Sequence, residues 1–145
     1  MNDKTILLVE DNPDDEALTL RALRKNNISN EVAVAHDGVE ALDYLFGRGG
    51  YAGRDVTDLP SLVLLDLKLP KLDGLEVLRQ LREDARTTRL PVVALTSSNE
   101  EQDLISSYES HVNSYVRKPV DFVKFVETVR QLGNYWLEIN QPSPK

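Results

Sequence analysis

Apolar residues in this chain gather in five short runs, each closed by polar or charged residues, with amphipathic stretches of helical period between them. Leu62-Val63-Leu64-Leu65 is the most completely apolar and reads as a strand buried on both faces, as at the centre of a parallel sheet. Thr5–Val9, Pro91–Leu95 and Val112–Val116 read as further strands, and Glu31–Ala35 alternates as a more exposed one. Asn12 and Pro13 have the form of an N-cap and first helical residue, with Asp14, Asp15 and Glu16 at the positive end of the dipole. Ala17, Leu18, Leu20, Ala22 and Leu23 give that helix an apolar side, closed at Lys25-Asn26-Asn27. Asp37-Gly38 opens a second helix with Val39, Leu42, Leu45 and Phe46 on one face. Asp73-Gly74 opens a third with Leu78, Leu81 and Ala85 inward. Ser98-Asn99-Glu100-Glu101 has capping-box spacing and starts a fourth helix. That helix has few apolar residues (Leu104, Ile105 and Tyr108), which predicts the loosest packing. The last helix carries Phe122, Phe125, Val126, Val129, Leu132 and Trp136. Strand and helix alternating five times predict one α/β domain, a doubly wound five-stranded parallel sheet. Residues 47–60 are the one sizeable irregular segment, long enough to be functional or mobile.

In a parallel sheet the carboxyl ends of the strands share one edge, where ligands of open α/β folds gather. That edge receives Glu10-Asp11, Asp66, Thr96-Ser97 and Lys118 from four different strands. Each has an ordinary reading by itself: an acidic pair as helix cap and dipole partner, an aspartate as turn residue, a threonine as helix entry. Their convergence points to chemistry. Three crowded carboxylates want a cation, and oxygen ligands without His or Cys favour Mg²⁺. Lys118 suits a phosphoryl oxygen, and the Thr96 hydroxyl can donate a further hydrogen bond. No cysteine or histidine stands at this edge, which makes Asp66 the candidate nucleophile, and an acyl phosphate on an aspartate is a known form of covalent catalysis.

The chain resembles the receiver domain of two-component response regulators over nearly its full length. The resemblance rests on Leu7-Leu8-Val9-Glu10-Asp11, on Leu64 to Pro70 with Asp73-Gly74, on Ala94-Leu95-Thr96-Ser97, and on Tyr115-Val116-Arg117-Lys118-Pro119. It implies a flavodoxin-like receiver fold over residues 1–140, followed by a polar tail over 141–145. It also implies that Asp66 accepts a phosphoryl group from a sensor histidine kinase. Asp11, Asp66 and the backbone carbonyl of Lys68 would hold Mg²⁺, with Glu10 acting through a metal-bound water. Thr96 and Lys118 would contact the phosphoryl oxygens, and the Lys118–Pro119 bond would be cis. Tyr115 holds the place of a switch aromatic that turns inward with Thr96, and the fourth helix, fifth strand and fifth helix form the usual output face. The long 47–60 loop, Thr96-Ser97-Ser98 and the expected lack of an output domain look most like the stand-alone regulators of bacterial phytochrome kinases. Two features depart from the plainest receivers: Glu10-Asp11 in place of Asp-Asp, and His111-Val112 where Gly-Ala is common.

Other classes fit less well. An aspartate-nucleophile phosphohydrolase resembles the site but carries an acid-base aspartate two residues beyond the nucleophile, where this chain has Lys68. A flavodoxin-like cofactor binder wants a Ser/Thr-Gly-rich loop after the first strand, and carboxylates stand there instead. An unphosphorylated interaction module sits poorly with an intact set of site residues. Gly47-Arg48-Gly49-Gly50 lacks the Gly-Lys-Ser/Thr ending of a phosphate loop. His36 and His111 show no ligand spacing. Tyr135 and Trp136 have two readings, a cap over the core or a homodimer contact through the output face. The net charge of −7 argues against nucleic-acid binding, and no run approaches the roughly 20 apolar residues of a membrane span. No signal segment precedes the first strand and no cysteine is present, which makes a cytoplasmic location the expectation.

Overall fold

The computed structural model describes residues 5–97, 99–119 and 121–144. Its five strands are β1 (Thr5–Val9), β2 (Glu31–Ala35), β3 (Leu62–Leu65), β4 (Val92–Thr96) and β5 (Ser114–Arg117). Five helices alternate with them: α1 (Pro13–Lys25), α2 (Gly38–Phe46), α3 (Gly74–Glu83), α4 (Glu101–Glu109) and α5 (Phe122–Gly133). A 3₁₀ turn lies at Gly49–Tyr51, and α5 runs on as a π-helical segment at Asn134–Ile139. All neighbouring strands are parallel, in the order β2-β1-β3-β4-β5, as the doubly wound reading expects.

Two apolar layers follow from the two-residue period of the strands. Leu62 and Leu64 of β3 point into the layer shared with Ala22 and Leu23 of α1 and Phe125 and Val129 of α5. Val63 and Leu65 point into the other, with Ala41, Leu42 and Leu45 of α2 and Val77, Leu78 and Leu81 of α3. Buried apolar area is the main favourable term here, at roughly 25 cal/mol per Å².

Local signals start and stop the helices as the sequence suggests. Asn12 Oδ1 accepts from the Asp14 and Asp15 amides, and Asp37 and Asp73 cap α2 and α3 from the same N-cap position. Several sequence expectations need correction. Ala85 is exposed and beyond α3, because Asp84 leaves the helix in an extended conformation and its carboxylate accepts from the Arg86 amide. Val39 and Leu18 are partly exposed, since α2 turns Gly38, Ala41, Leu42 and Leu45 inward and α1 turns Thr19, Ala22 and Leu23. The predicted capping residue Ser98 lies outside the described residues, and Glu100 stands at the N-cap of α4 without a side-chain cap. The Lys118–Pro119 bond is trans, the lower-energy form, with the Lys118 amide donating to the Thr96 carbonyl at 2.8 Å.

At the amino-terminal edge of the sheet, Arg82 of α3 joins three segments. Its Nε donates to the His111 carbonyl at 3.0 Å, one Nη donates to the Leu90 carbonyl at 2.8 Å, and the other donates to Asn113 Oδ1 at 2.9 Å. Asn113 Oδ1 also accepts from the Val92 amide at 2.7 Å, so β4 and β5 begin on one hub.

Candidate phosphoryl-transfer site

Register delivers the site. Val9 pairs with Leu65, and the Asp66 amide donates to the Val9 carbonyl at 3.1 Å, so Glu10 and Asp66 leave the sheet side by side. Leu65 pairs with Ala94 and Thr96 with Arg117, which brings Thr96 and Lys118 to the same edge.

Asp66 is 7% exposed and held from three directions. Its Oδ1 accepts from the Thr96 hydroxyl at 3.0 Å and from the Lys68 amide at 3.1 Å. Its Oδ2 lies 3.3 Å from Lys118 Nζ. Lys118 Nζ also hydrogen-bonds the buried Glu10 carboxylate and lies 3.6 Å from Asp15 Oδ2. Glu10, Asp11 and Asp66 each offer an oxygen within 4.8 Å of the others, a spacing one hard cation can span. Asp11 is the exposed member and supplies the solvent side of that cluster.

Burial, the largest influence, pushes the Glu10 carboxyl above the ordinary carboxylate value, and Asp66 adds to the rise while Lys118 opposes it. Burial works to lower Lys118, but the Glu10 hydrogen bond and the nearby Asp66, Glu10 and Asp15 charges outweigh it. The ammonium is therefore held above its ordinary value and stays charged. The site is thus a fixed cation facing the Asp66 carboxylate, with surplus negative charge beside it. That arrangement can stabilise phosphoryl oxygens as they approach Asp66.

Glu10, Asp11, Asp66, Thr96 and Lys118 come together as the sequence suggests. Tyr115 is half-buried against the α2–α3 layer. Lys68 holds Asp66 through its amide, while its ammonium runs to α4, 3.1 Å from Asp103 Oδ2. The sequence reading missed Asp15 at Lys118 and Asp103 at Lys68. Asp15 had one signal, its position a helical turn beyond Asp11; Asp103 had none.

The family model for the response regulator receiver domain matches residues 6–130. The probable methanogenesis regulatory protein FilR2 of Methanothrix harundinacea is 45% identical over 96% of this chain and 88% of its own. Response regulator Rcp1 of Synechocystis is 40% identical over 93% of this chain and 90% of its own. The crystal structure of Rcp1 in its Mn²⁺-bound form aligns with a TM-score of 0.87, covering 97% of this chain and 99% of that one. The phosphorylated cyanobacterial phytochrome response regulator RcpA is 39% identical and aligns with a TM-score of 0.89 over 97% of this chain and 99% of that one.

Proposed function

This chain belongs to the response regulator receiver domain family, and we propose that it signals by taking a phosphoryl group from a sensor histidine kinase onto Asp66. The observation that carries this reading is the Asp66 carboxylate, held between the Thr96 hydroxyl and the Lys118 ammonium beside the Glu10–Asp11 pair. An Asp66 oxygen attacks phosphorus, the P–N bond of the phosphohistidine breaks, and its electron pair leaves on the imidazole nitrogen. The product is an acyl phosphate. Lys118 and Thr96 take up charge gathering on the phosphoryl oxygens. Asp11, Asp66 and the Lys68 carbonyl would hold Mg²⁺, with Glu10 acting through water. The ion would neutralise phosphoryl charge and lower the mutual repulsion of the carboxylates. The only catalysis is of the protein's own phosphorylation and dephosphorylation.

Two relatives supply the finer reading, since RcpA is a phytochrome response regulator and Rcp1 was crystallised with Mn²⁺. The donor is accordingly a kinase of the phytochrome type. An apolar groove beside Lys118, lined by Leu18, Pro119, Phe122 and Phe125, offers a seat for its phosphohistidine helix. Thr96 and Tyr115 pass the change to the α4–β5–α5 face, where the protein forms a homodimer in the cytoplasm, with no nucleic acid or membrane as partner. Among the described residues no helix is long and apolar enough to cross a membrane. Exposed Tyr135, edge-on against Trp136 at 5.0 Å, is an aromatic contact available there. Tyr135→Ala is expected to shift elution in size exclusion from dimer to monomer, and unchanged elution counts against this surface.

The deciding experiment is incubation with a small acyl-phosphate donor, with and without Mg²⁺, followed by mass measurement. Wild type is expected to gain one phosphoryl group only with Mg²⁺, and Asp66→Asn none. Absence of an adduct on wild type overturns the phosphoacceptor reading.

A further inference from the structure

Helix α4 is seated differently from the other four. The buried positions of α2 are Gly38, Ala41, Leu42 and Leu45, those of α3 are Gly74, Val77, Leu78 and Leu81, and α1 and α5 likewise bury mainly apolar groups. The buried positions of α4 are Asp103 and Ser107, 6% and 0% exposed, whereas Ile105 and Tyr108 are 44% and 52% exposed. Among the described residues, no side chain of α4 belongs to either apolar layer. The Ser107 hydroxyl is fully buried and finds no hydrogen-bond partner among them. A helix with its polar side inward gains little from burial and must be held by specific polar contacts.

One such contact leads straight to the phosphoacceptor. Lys68 Nζ lies 3.1 Å from Asp103 Oδ2 and 3.8 Å from Glu100 Oε2, both at the start of α4. The amide of the same residue donates to Asp66 Oδ1. Lys68 therefore touches the phosphoacceptor through its backbone and α4 through its side chain. A buried carboxylate deprived of its cation is strongly disfavoured.

We propose that the Lys68–Asp103 ion pair is a latch that keeps α4 seated on its polar side and lets go when Asp66 is phosphorylated. Two consequences of phosphorylation act on it. The Asp66 carboxylate becomes an acyl phosphate whose carbonyl oxygen carries no net charge, so its hydrogen bond to the Lys68 amide weakens. A doubly negative phosphoryl group also arrives two residues from Lys68 and competes with Asp103 for the flexible ammonium. Asp103 then has reason to leave its buried position, and α4 loosens at its first turn. The release rests on the phosphoacceptor reading above; the latch in the unphosphorylated protein does not.

Amide hydrogen exchange across α4, read by mass spectrometry on the full chain, tests both parts. Asp103→Asn and Lys68→Met are each expected to speed exchange in α4 about tenfold without phosphodonor, and the double variant no further, while α5 stays at the wild-type rate. Exchange in α4 at the wild-type rate in both single variants, additive effects in the double, or a rise spread equally over α5 overturns the latch. With acyl phosphate and Mg²⁺, wild-type α4 is expected to reach the rate of the variants, whose own rate does not rise further. An adduct confirmed by mass with unchanged α4 exchange overturns the release. No adduct at all sinks the phosphoacceptor reading and with it the release, and the unphosphorylated comparison still decides the latch.

Discussion

Gly74→Ala is expected to lower stability by about 3 kcal/mol, with a fall of about 10 °C in Tm. Gly74 opens α3 directly behind the Asp66 loop, and its amide donates to the Leu67 carbonyl at 2.9 Å. A Cβ there would stand 2.3 Å from the Asp66 carbonyl oxygen and 2.7 Å from the Leu67 Cα. Both are main-chain atoms of the segment that leaves β3, so neither can swing aside as a flexible side chain would. Relief requires α3 to withdraw or the Asp66–Leu67 backbone to shift. The first opens the packing of Val77 and Leu78, and the second moves the Asp66 carboxylate away from Thr96 and Lys118. Chemical denaturation should show the loss, and acyl-phosphate labelling of the surviving folded protein should be slower than in wild type. A variant within 0.5 kcal/mol of wild type, a margin typical of an innocuous surface change, would show that the contact yields more easily than its atoms suggest.

Lys118→Met is expected to slow phosphorylation of Asp66 on the order of a hundredfold to a thousandfold, the usual cost of removing one preorganised charge stabiliser. Lys118 is the cation nearest to Asp66, and Glu10, Asp11 and Asp15 crowd the same edge with negative charge. A donor carrying negative oxygens then meets carboxylates with no fixed countercharge. The substitution also leaves Glu10 buried without its ammonium, which removes the one strong influence opposing its upward shift. The sign is as follows. A carboxyl raised in the folded state favours folding below its unfolded value of 4.5, and that contribution is lost as pH rises through the folded value. Lys118→Met should therefore lose more stability, relative to wild type, at pH 8 than at pH 5. Denaturant titrations at the two pH values, beside the labelling rate, check both effects; equal losses at both would place the Glu10 charge elsewhere.

The five site residues were legible because each closes or follows an apolar run, and parallel register lines up the ends of such runs. Asp66 after Leu62–Leu65 and Lys118 after Val116 needed no knowledge of side-chain direction to be placed on one edge. Residues whose role depends on where a helix faces were not legible. In α4 the sequence offered only Leu104, Ile105 and Tyr108 as apolar residues and an expectation of loose packing, with no sign that the helix buries Asp103 and Ser107. The pairing of Asp103 with Lys68 joins distant parts of the chain and leaves no periodic trace. Asp15 read as a partner of the α1 dipole, which it is by position, and only the folded arrangement, with α1 packed against α5, shows that it also faces Lys118. Nothing in the sequence marks Arg82 of α3, because the carbonyls it serves belong to two other segments.

The Arg82 hub sets the mechanical character of the two ends of the sheet. Its partners are neutral carbonyls and an amide, and burial lowers its pKa with no carboxylate to offset it. Dissolved ions screen attraction between charges far more than short hydrogen bonds to neutral groups. The opposite end also carries ion pairs with exposed lysines: Lys68 with Asp103, and Lys71 with Asp37. Rising ionic strength therefore loosens these exposed pairs at the carboxyl edge of the sheet and leaves the far edge unchanged. The protein is built like a vice, with one jaw fixed in place and the other free to answer its electrolyte surroundings.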